Sequence, residues 1–358
     1  MKIAVVSCYK QTDYGRASTL RKAVDIAPDV ELIDIRNTRR NALRYLEVIV
    51  KLLRTRWREK PDAYVITFRG YEMLLLAVMT GIRKPIIFDE LVNFTEWMEE
   101  HSRLKPGSGA YRVFRWWYGR LTRHCTIILA DTDAHAAYSA QLNALPLNRY
   151  RTVVVGADET IFQPHPSNEP NVQPFTIFYY GLNMLPLHGL SYVLQATIAL
   201  KDNQNIKFHI VGGKVETKQL IEQAITQGAR LTYDAWLPLQ QLADIAAGAD
   251  MALGGPFGNT LQSQYVITGK TYQSLAVGVP VIVGKNQVSG VFEDHKNCLL
   301  IPQADSPALT KAIVWAAKHP RELHQIGISG RLLYEKHFSQ TIINKQIAAV
   351  LAELQKEH

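Results

Sequence analysis

Two trains of short, β-branched apolar runs alternate with helical stretches along this chain, and a proline-rich segment separates the trains. The first train is KIAVVSC (Lys2–Cys8), VELIDIR (Val30–Arg36), DAYVITF (Asp62–Phe68), KPIIFD (Lys84–Asp89), CTIILA (Cys125–Ala130) and TVVVG (Thr152–Gly156). Several of these runs lack a polar alternation, as strands buried on both faces of a parallel sheet do. Between them, apolar residues recur at helical spacing, as at Tyr45, Leu46, Val48, Ile49, Leu52 and Leu53. Such alternation predicts a doubly wound α/β sheet.

The pattern restarts after Phe162 to Pro174, where Pro164, Pro166, Pro170 and Pro174 sit among polar residues. That composition suits an extended connector. The second train is FTIFYYG (Phe175–Gly181), KFHIVGG (Lys207–Gly213), LTYDAWL (Leu231–Leu237), DMALGG (Asp250–Gly255), PVIVG (Pro280–Gly284) and CLLIP (Cys298–Pro302). The reading is therefore a first Rossmann-like domain over 1–163, a linker over 164–174 and a second domain over 175–340. A last helix over 341–358 is expected to pack back on the first domain. Ligands of such sheets lie beyond the carboxyl ends of the strands, so two facing domains predict a central cleft.

Charge is lopsided. Residues 1–150 hold 24 Lys and Arg against 16 Asp and Glu, whereas 151–358 hold 16 of each. Arg39–Lys60 carries eight basic and two acidic residues, and Arg103–Arg123 six basic and none acidic. An anionic partner for the first half follows from this. In Arg103–Cys125 the basic residues are interleaved with Tyr111, Phe114, Trp116, Trp117 and Tyr118. Two readings stand for that segment: a helix on an anionic membrane surface, or a core-packed helix with a solvated basic edge. No apolar run approaches the ~20 residues of a membrane span, and the N-terminus lacks the features of a signal peptide. Cys8, Cys125 and Cys298 stand too far apart for a disulfide framework or zinc site. The expectation is a soluble cytoplasmic protein, either free or peripheral on the inner face of a membrane, with no recognisable nucleic-acid motif.

Two familiar motifs do not hold. Gly269–Thr271 reads GKT, but the first glycine of a P-loop would fall on Gln264. Asp131-Thr132-Asp133 follows a buried run and opens a helix, where an Asp caps the N-terminus rather than holding a metal. A single glycine, Gly15, marks the first strand–helix turn, which reads either as an ordinary turn or as a place where helix N–H groups would face a phosphate. The second domain says more. Gly181 ends a strand before a loop closing on His188-Gly189, Gly212-Gly213 end another, and a glycine-containing loop from Gly254 leads to Lys270. Glycines at strand ends with helix starts and one lysine describe a diphosphate pocket.

At these residues the chain resembles the retaining GT-B glycosyltransferases of the "glycosyl transferases group 1" family, over most of its length. VVVGADETIFQP (Val153–Pro164), GLNMLPLHG (Gly181–Gly189), FHIVGG (Phe208–Gly213), SLAVGVPVI (Ser274–Ile282) and VFEDHKNCLLIPQADSPALTKAI (Val291–Ile313) are similar to family motifs in the family's order. The resemblance implies transfer of a sugar from a nucleotide diphosphate to a hydroxyl of a glycan or lipid-linked acceptor, with retention, in cell-surface polysaccharide or glycoconjugate synthesis. No metal or other cofactor is implied. It casts Lys270 as the cation that steadies the departing diphosphate, helped by His188 and by N–H groups near Gly189 and Gly15. Arg16 would contribute from the other domain, and Asp89 either would take the place of a strand-end histidine near the sugar or is a strand-end carboxylate pairing a nearby base. Phe257, Gly258 and Asn259 would bring backbone donors to the sugar, and Gln273 would bind the ribose. The chain departs from the family at Gln273 and Tyr265, where glutamates are expected, and at Leu182 or Asn183 and His188, where the first loop carries an Arg and a Lys. These departures leave a second reading: an inactive relative that binds a nucleotide sugar or glycan as a sensor or partner subunit.

Overall fold

The computed structural model describes residues 1–9, 15–68, 70–101, 103–164 and 174–356. The proline-rich connector expected over 164–174 lies outside them except for its two ends. The chain divides into two compact units, Met1–Val155 with Gln340–His358, and Gly156–Ser339.

The first unit runs β1 (Lys2–Ser7), α1 (Gly15–Asp25), β2 (Glu31–Arg36), α2 (Leu43–Arg58), β3 (Ala63–Ile66), α3 (Gly70–Met79), β4 (Ile86–Asp89), α4 (Phe94–Glu100), α5 (Gly109–Thr122), β5 (Ile127–Ala130), α6 (Asp133–Asn143) and β6 (Tyr150–Thr152). Its six strands are parallel, in the order β2-β1-β3-β4-β5-β6. Successive side chains of a strand point to opposite faces, and here each face has its own helices. Ala4, Val6, Tyr64, Ile66 and Phe88 pack with Val48 and Leu52 of α2, Leu74 of α3, Tyr118 and Leu121 of α5 and Ala136 of α6. Ile3, Val5, Val65, Ile87 and Leu129 pack instead with Leu20 and Val24 of α1. That second face is completed by the chain's last helix, which enters after the second unit.

The second unit runs β7 (Phe175–Gly181), α7 (Leu190–Ala199), β8 (Ile206–Gly212), α8 (Val215–Thr226), β9 (Leu231–Asp234), α9 (Leu239–Gly248), β10 (Met251–Leu253), α10 (Gly269–Val277), β11 (Val281–Lys285), β12 (Leu299–Pro302), α11 (Ser306–Lys318) and α12 (Pro320–His337). These six strands are also parallel, in the order β12-β11-β10-β7-β8-β9. The chain then returns to the first unit as α13 (Gln340–Lys356), whose Ile343, Ile347, Val350, Leu351 and Leu354 are buried against α1 and the sheet. Arg151 of β6 pairs with Glu353 of α13.

Local details correct one expectation and give the phase of α5. Helix α6 is capped by Thr132, whose side chain accepts from the His135 N–H, and not by an aspartate. Asp131 is instead bonded to the ring of His135 at 2.6 Å. In α5, Tyr118 is buried and Phe114 and Trp117 pack on the core, while Val113 and Trp116 face outward. The helix is therefore core-packed along one side, and only part of its aromatic content lies at the surface.

Candidate functional site

In the second unit the chain steps from β7 to β8 and β9 on one side, then returns to start β10 on the other side of β7. The neighbouring strands β7 and β10 thus flank the topological switch point, beyond whose carboxyl ends α/β sheets bind ligands. Helix α7 begins at Gly189 and helix α10 at Thr268, and neither cap residue gives its helix a side-chain cap bond. The Thr268 hydroxyl is turned to the Gly254 carbonyl at 2.6 Å instead. Two helix starts with first-turn N–H groups uncapped by side chains therefore stand at the switch point, the arrangement that suits an anion.

Glycines let the two loops close on each other. A Cβ on Gly258 would overlap the Pro186 carbonyl, and one on Gly189, at φ +69°, would lie 2.6 Å from the Gly258 nitrogen. The Gly258 N–H is donated to the Leu187 carbonyl at 2.9 Å. A Cβ on Gly181 would stand 3.1 Å from Nδ1 of His188. Gly212 and Gly213 end β8 with positive φ, Gly212 against the Gly181 carbonyl, and the Gly213 N–H is donated to Leu182 at 3.3 Å.

Lys270 is the second residue of α10 and is only 4% exposed. Its ammonium stands 5.5 Å from the centre of the Tyr179 ring, and the Tyr179 hydroxyl donates to the His188 carbonyl at 2.9 Å. Among the described residues no carboxylate lies within ion-pairing distance of Lys270. Burial lowers its pKa to about 7. Burial and the nearby Lys270 charge hold the His188 imidazole well below its ordinary value, and its Nδ1 is enclosed without a hydrogen-bond partner. One turn along α10, the enclosed Oε1 of Gln273 also has no partner, on the face that Lys270 occupies. Lys270, His188 and Gln273 come together with Gly181, Gly189, Gly212 and Gly213 around this switch point. The aromatic floor, Tyr179, was missed from sequence; its only signal was a tyrosine two residues before a strand-end glycine.

The loop 257–259 behaves otherwise than expected. Phe257 is buried in the core of the unit, its ring 6.5 Å from that of Tyr179. The Gly258 N–H is spent on Leu187, so it is no donor to a sugar. Asn259 is exposed.

The first-unit residues also need correction. Arg16 and Asp89 are both fully buried side chains, joined at 2.9 and 3.1 Å. Nη1 of Arg16 donates to the carbonyls of Val153 and Val154 at 2.8 and 2.6 Å. Burial raises the pKa of Asp89 while Arg16 draws it back down. The pair pins the start of α1 to the ends of β4 and β6, with the guanidinium turned inward. Gly15 opens α1 with space around it. Beside the pair, Glu90 is buried and accepts from Tyr118 at 2.7 Å, Asn143 at 3.0 Å and Ser139. Burial opposes charge on His135, but Asp131, with Glu96 and Glu90 behind it, holds its pKa above the imidazole norm. Both oxygens of Glu96 are enclosed without a partner, and burial pushes its pKa to about 8.

Comparison with known proteins bears on the family and the fold. Residues 174–319 match the model of the family described as "Glycosyl transferases group 1". Over 250 residues the chain is 24% identical to the MMP alpha-(1->4)-mannosyltransferase of Mycolicibacterium hassiacum, a match covering 66% of this chain and 58% of that protein. The matched stretch thus spans a little over half of that relative. Sucrose-phosphate synthase of Thermosynechococcus elongatus superposes with a TM-score of 0.76 at 14% identity, over 100% of both chains. HepE of Anabaena in complex with UDP-glucose superposes with a TM-score of 0.71 at 15% identity, over 99% of this chain and 100% of that one. At such identities the structures establish a shared fold, the two-domain GT-B arrangement of two parallel sheets.

Proposed function

Taking the chain as a glycosyltransferase of group 1 type with the GT-B fold, we propose that it moves a sugar from a nucleotide diphosphate to a hydroxyl of a glycan or lipid-linked acceptor, with retention and without a metal. The observation that carries this reading is the buried Lys270 ammonium with no counter-ion among the described residues, beside the enclosed His188 and two helix starts without side-chain caps. A diphosphate bound there would supply the missing negative charge. As the bond between the anomeric carbon and the phosphate oxygen breaks, charge grows on the leaving diphosphate. A preplaced cation and N–H groups in a dry site stabilise that charge more than the ground state. Lys270 is the group assigned to it, with N–H groups of the first turns of α7 and α10. Gln273 holds a nucleotide hydroxyl through its enclosed oxygen.

HepE of Anabaena is a structure solved with UDP and with UDP-glucose, which places UDP first in a screen of UDP, GDP, ADP and dTDP by thermal shift. Nucleotide release from the corresponding sugar donors is then measured. Turnover that persists in EDTA and falls about 100-fold or more in Lys270→Ala supports the reading. Near-wild-type kcat/KM in that variant removes the assignment. A thermal shift without release from any donor would instead identify a nucleotide-binding relative without catalysis, the reading to which Gln273 and the cation-free Leu182-Asn183 point.

A further inference from the structure

Helix α2 has two apolar faces, and only one of them is used by the fold. Val48 and Leu52 point into the core, while Leu43, Leu46, Val50 and Trp57 are exposed, Leu46 by 60% and Trp57 by 78%. At 100° per residue these four lie within about 60° of one another and on the side opposite Val48 and Leu52. A soluble helix normally places charge on that side. Here the exposed charge lies along one flank instead, at Arg54 and Arg58, while Lys51 on the same flank is paired with Glu47 at 2.7 Å. The surrounding segment, Arg39–Lys60, has eight basic residues against two acidic ones. The layer of helices to which α2 belongs shows the same habit elsewhere. Met79 at the end of α3 and Val113 and Trp116 of α5 are exposed, and the Arg120 guanidinium lies 5.3 Å over the Trp116 ring.

We propose that this outer face of the first unit, with α2 as its main element, seats the protein on an anionic lipid surface. The helix would lie in the plane of the interface, its apolar stripe at the boundary between headgroups and acyl chains and its basic flank on the headgroups. Among the described residues no helix is long and apolar enough to cross a membrane, so an in-plane seat is the mode α2 can offer. A second copy of this chain is the other occupant an apolar stripe could take. Symmetric pairing would set two strongly basic segments against each other, which charge disfavours, whereas an anionic bilayer neutralises them. The seat is independent of the transfer reaction: a chain that bound no donor would dock equally well.

The test is co-sedimentation of the full chain with vesicles of phosphatidylcholine alone and of phosphatidylcholine with phosphatidylglycerol. Wild type is expected in the pellet only with the anionic vesicles, and partly resistant to high salt because the stripe is inserted. Leu46→Glu/Trp57→Glu should cut the bound fraction at least about tenfold with an unchanged thermal midpoint. Arg54→Glu/Arg58→Glu, which leaves the stripe intact, should do the same. UDP thermal shifts should match wild type in both. Wild type remaining in the supernatant with anionic vesicles overturns the proposal, as does a stripe variant that sediments like wild type. Light scattering that shows a dimer dissolved by Leu46→Glu/Trp57→Glu would assign the stripe to a second copy and also overturn it.

Discussion

A lysine ammonium placed in a protein interior without a carboxylate is a cost that the fold carries until something anionic arrives. With a folded pKa of about 7 against 10.5 for the free side chain, the native state of Lys270 binds fewer protons than the unfolded state across that window. Stability therefore falls as pH drops from about 10.5 to about 7 and stays low below it. Lys270→Met should raise the thermal midpoint at pH 7 while abolishing transfer, the trade expected of a functional site. Donor binding must restore the ammonium, so calorimetry in buffers of different ionisation heat should register proton uptake approaching one per UDP above pH 7. Binding without proton uptake at pH 8 would place the phosphates elsewhere. Glu96 behaves in the opposite sense. Its folded pKa of about 8, raised by burial, makes the native state least stable once the carboxylate is forced to ionise. Stability should decline between about pH 4.5 and pH 8, and Glu96→Gln should remove most of that slope, being more stable than wild type at pH 8 and similar at pH 4.

Elements were easier to read than the side chains that join them. The alternation of Ile3 and Val5 with Ala4 and Val6 announces a strand with two buried faces, because the signal lies within six residues. The glycines 181, 189, 212 and 213 were legible as loop closures for the same reason, since each sits at a strand or helix end. Arg16 was not. Its partner Asp89 lies 73 residues away, and nothing local in GRAS tells an inward guanidinium from a phosphate ligand. Nor did the composition of α5 reveal its phase, so Tyr118 and Trp116 read alike until the helix was docked. Breaking the Arg16–Asp89 pair tests its structural role. Arg16→Leu should destabilise the first unit by about 3–5 kcal/mol, because it leaves a buried carboxylate alone, without weakening UDP binding in whatever fraction stays folded. Gly258→Ala should do the reverse. Its new methyl would push the 186–189 loop off the 257–258 loop, raising the UDP Kd with a stability loss of about 1–3 kcal/mol.

At the scale of the molecule, the order of elements along the chain differs from their order in space. The resemblance to GT-B enzymes was visible because its motifs lie in the second unit, in sequence order and at strand ends. The partition of the last helix is a matter of long-range packing: five buried side chains of α13 finish the face that Ile3, Val5, Leu20 and Val24 begin. At ~1.5–3 kcal/mol per buried side chain, α13 contributes on the order of 10 kcal/mol, comparable to the whole stability of a typical domain. Truncation after Ser339 should therefore leave the first unit unfolded and protease-sensitive. A fragment covering Gly156–Ser339 should still melt cooperatively and shift with UDP.

This discontinuity also dictates how the protein must be born. The first 155 residues emerge from the ribosome with one flank of their sheet only partly covered, and its missing helix follows only after all of Gly156–Ser339 has been translated. At ~5–20 residues per second that interval is roughly 10–40 s, during which a sheet face covered by α1 alone waits for the helix that completes it.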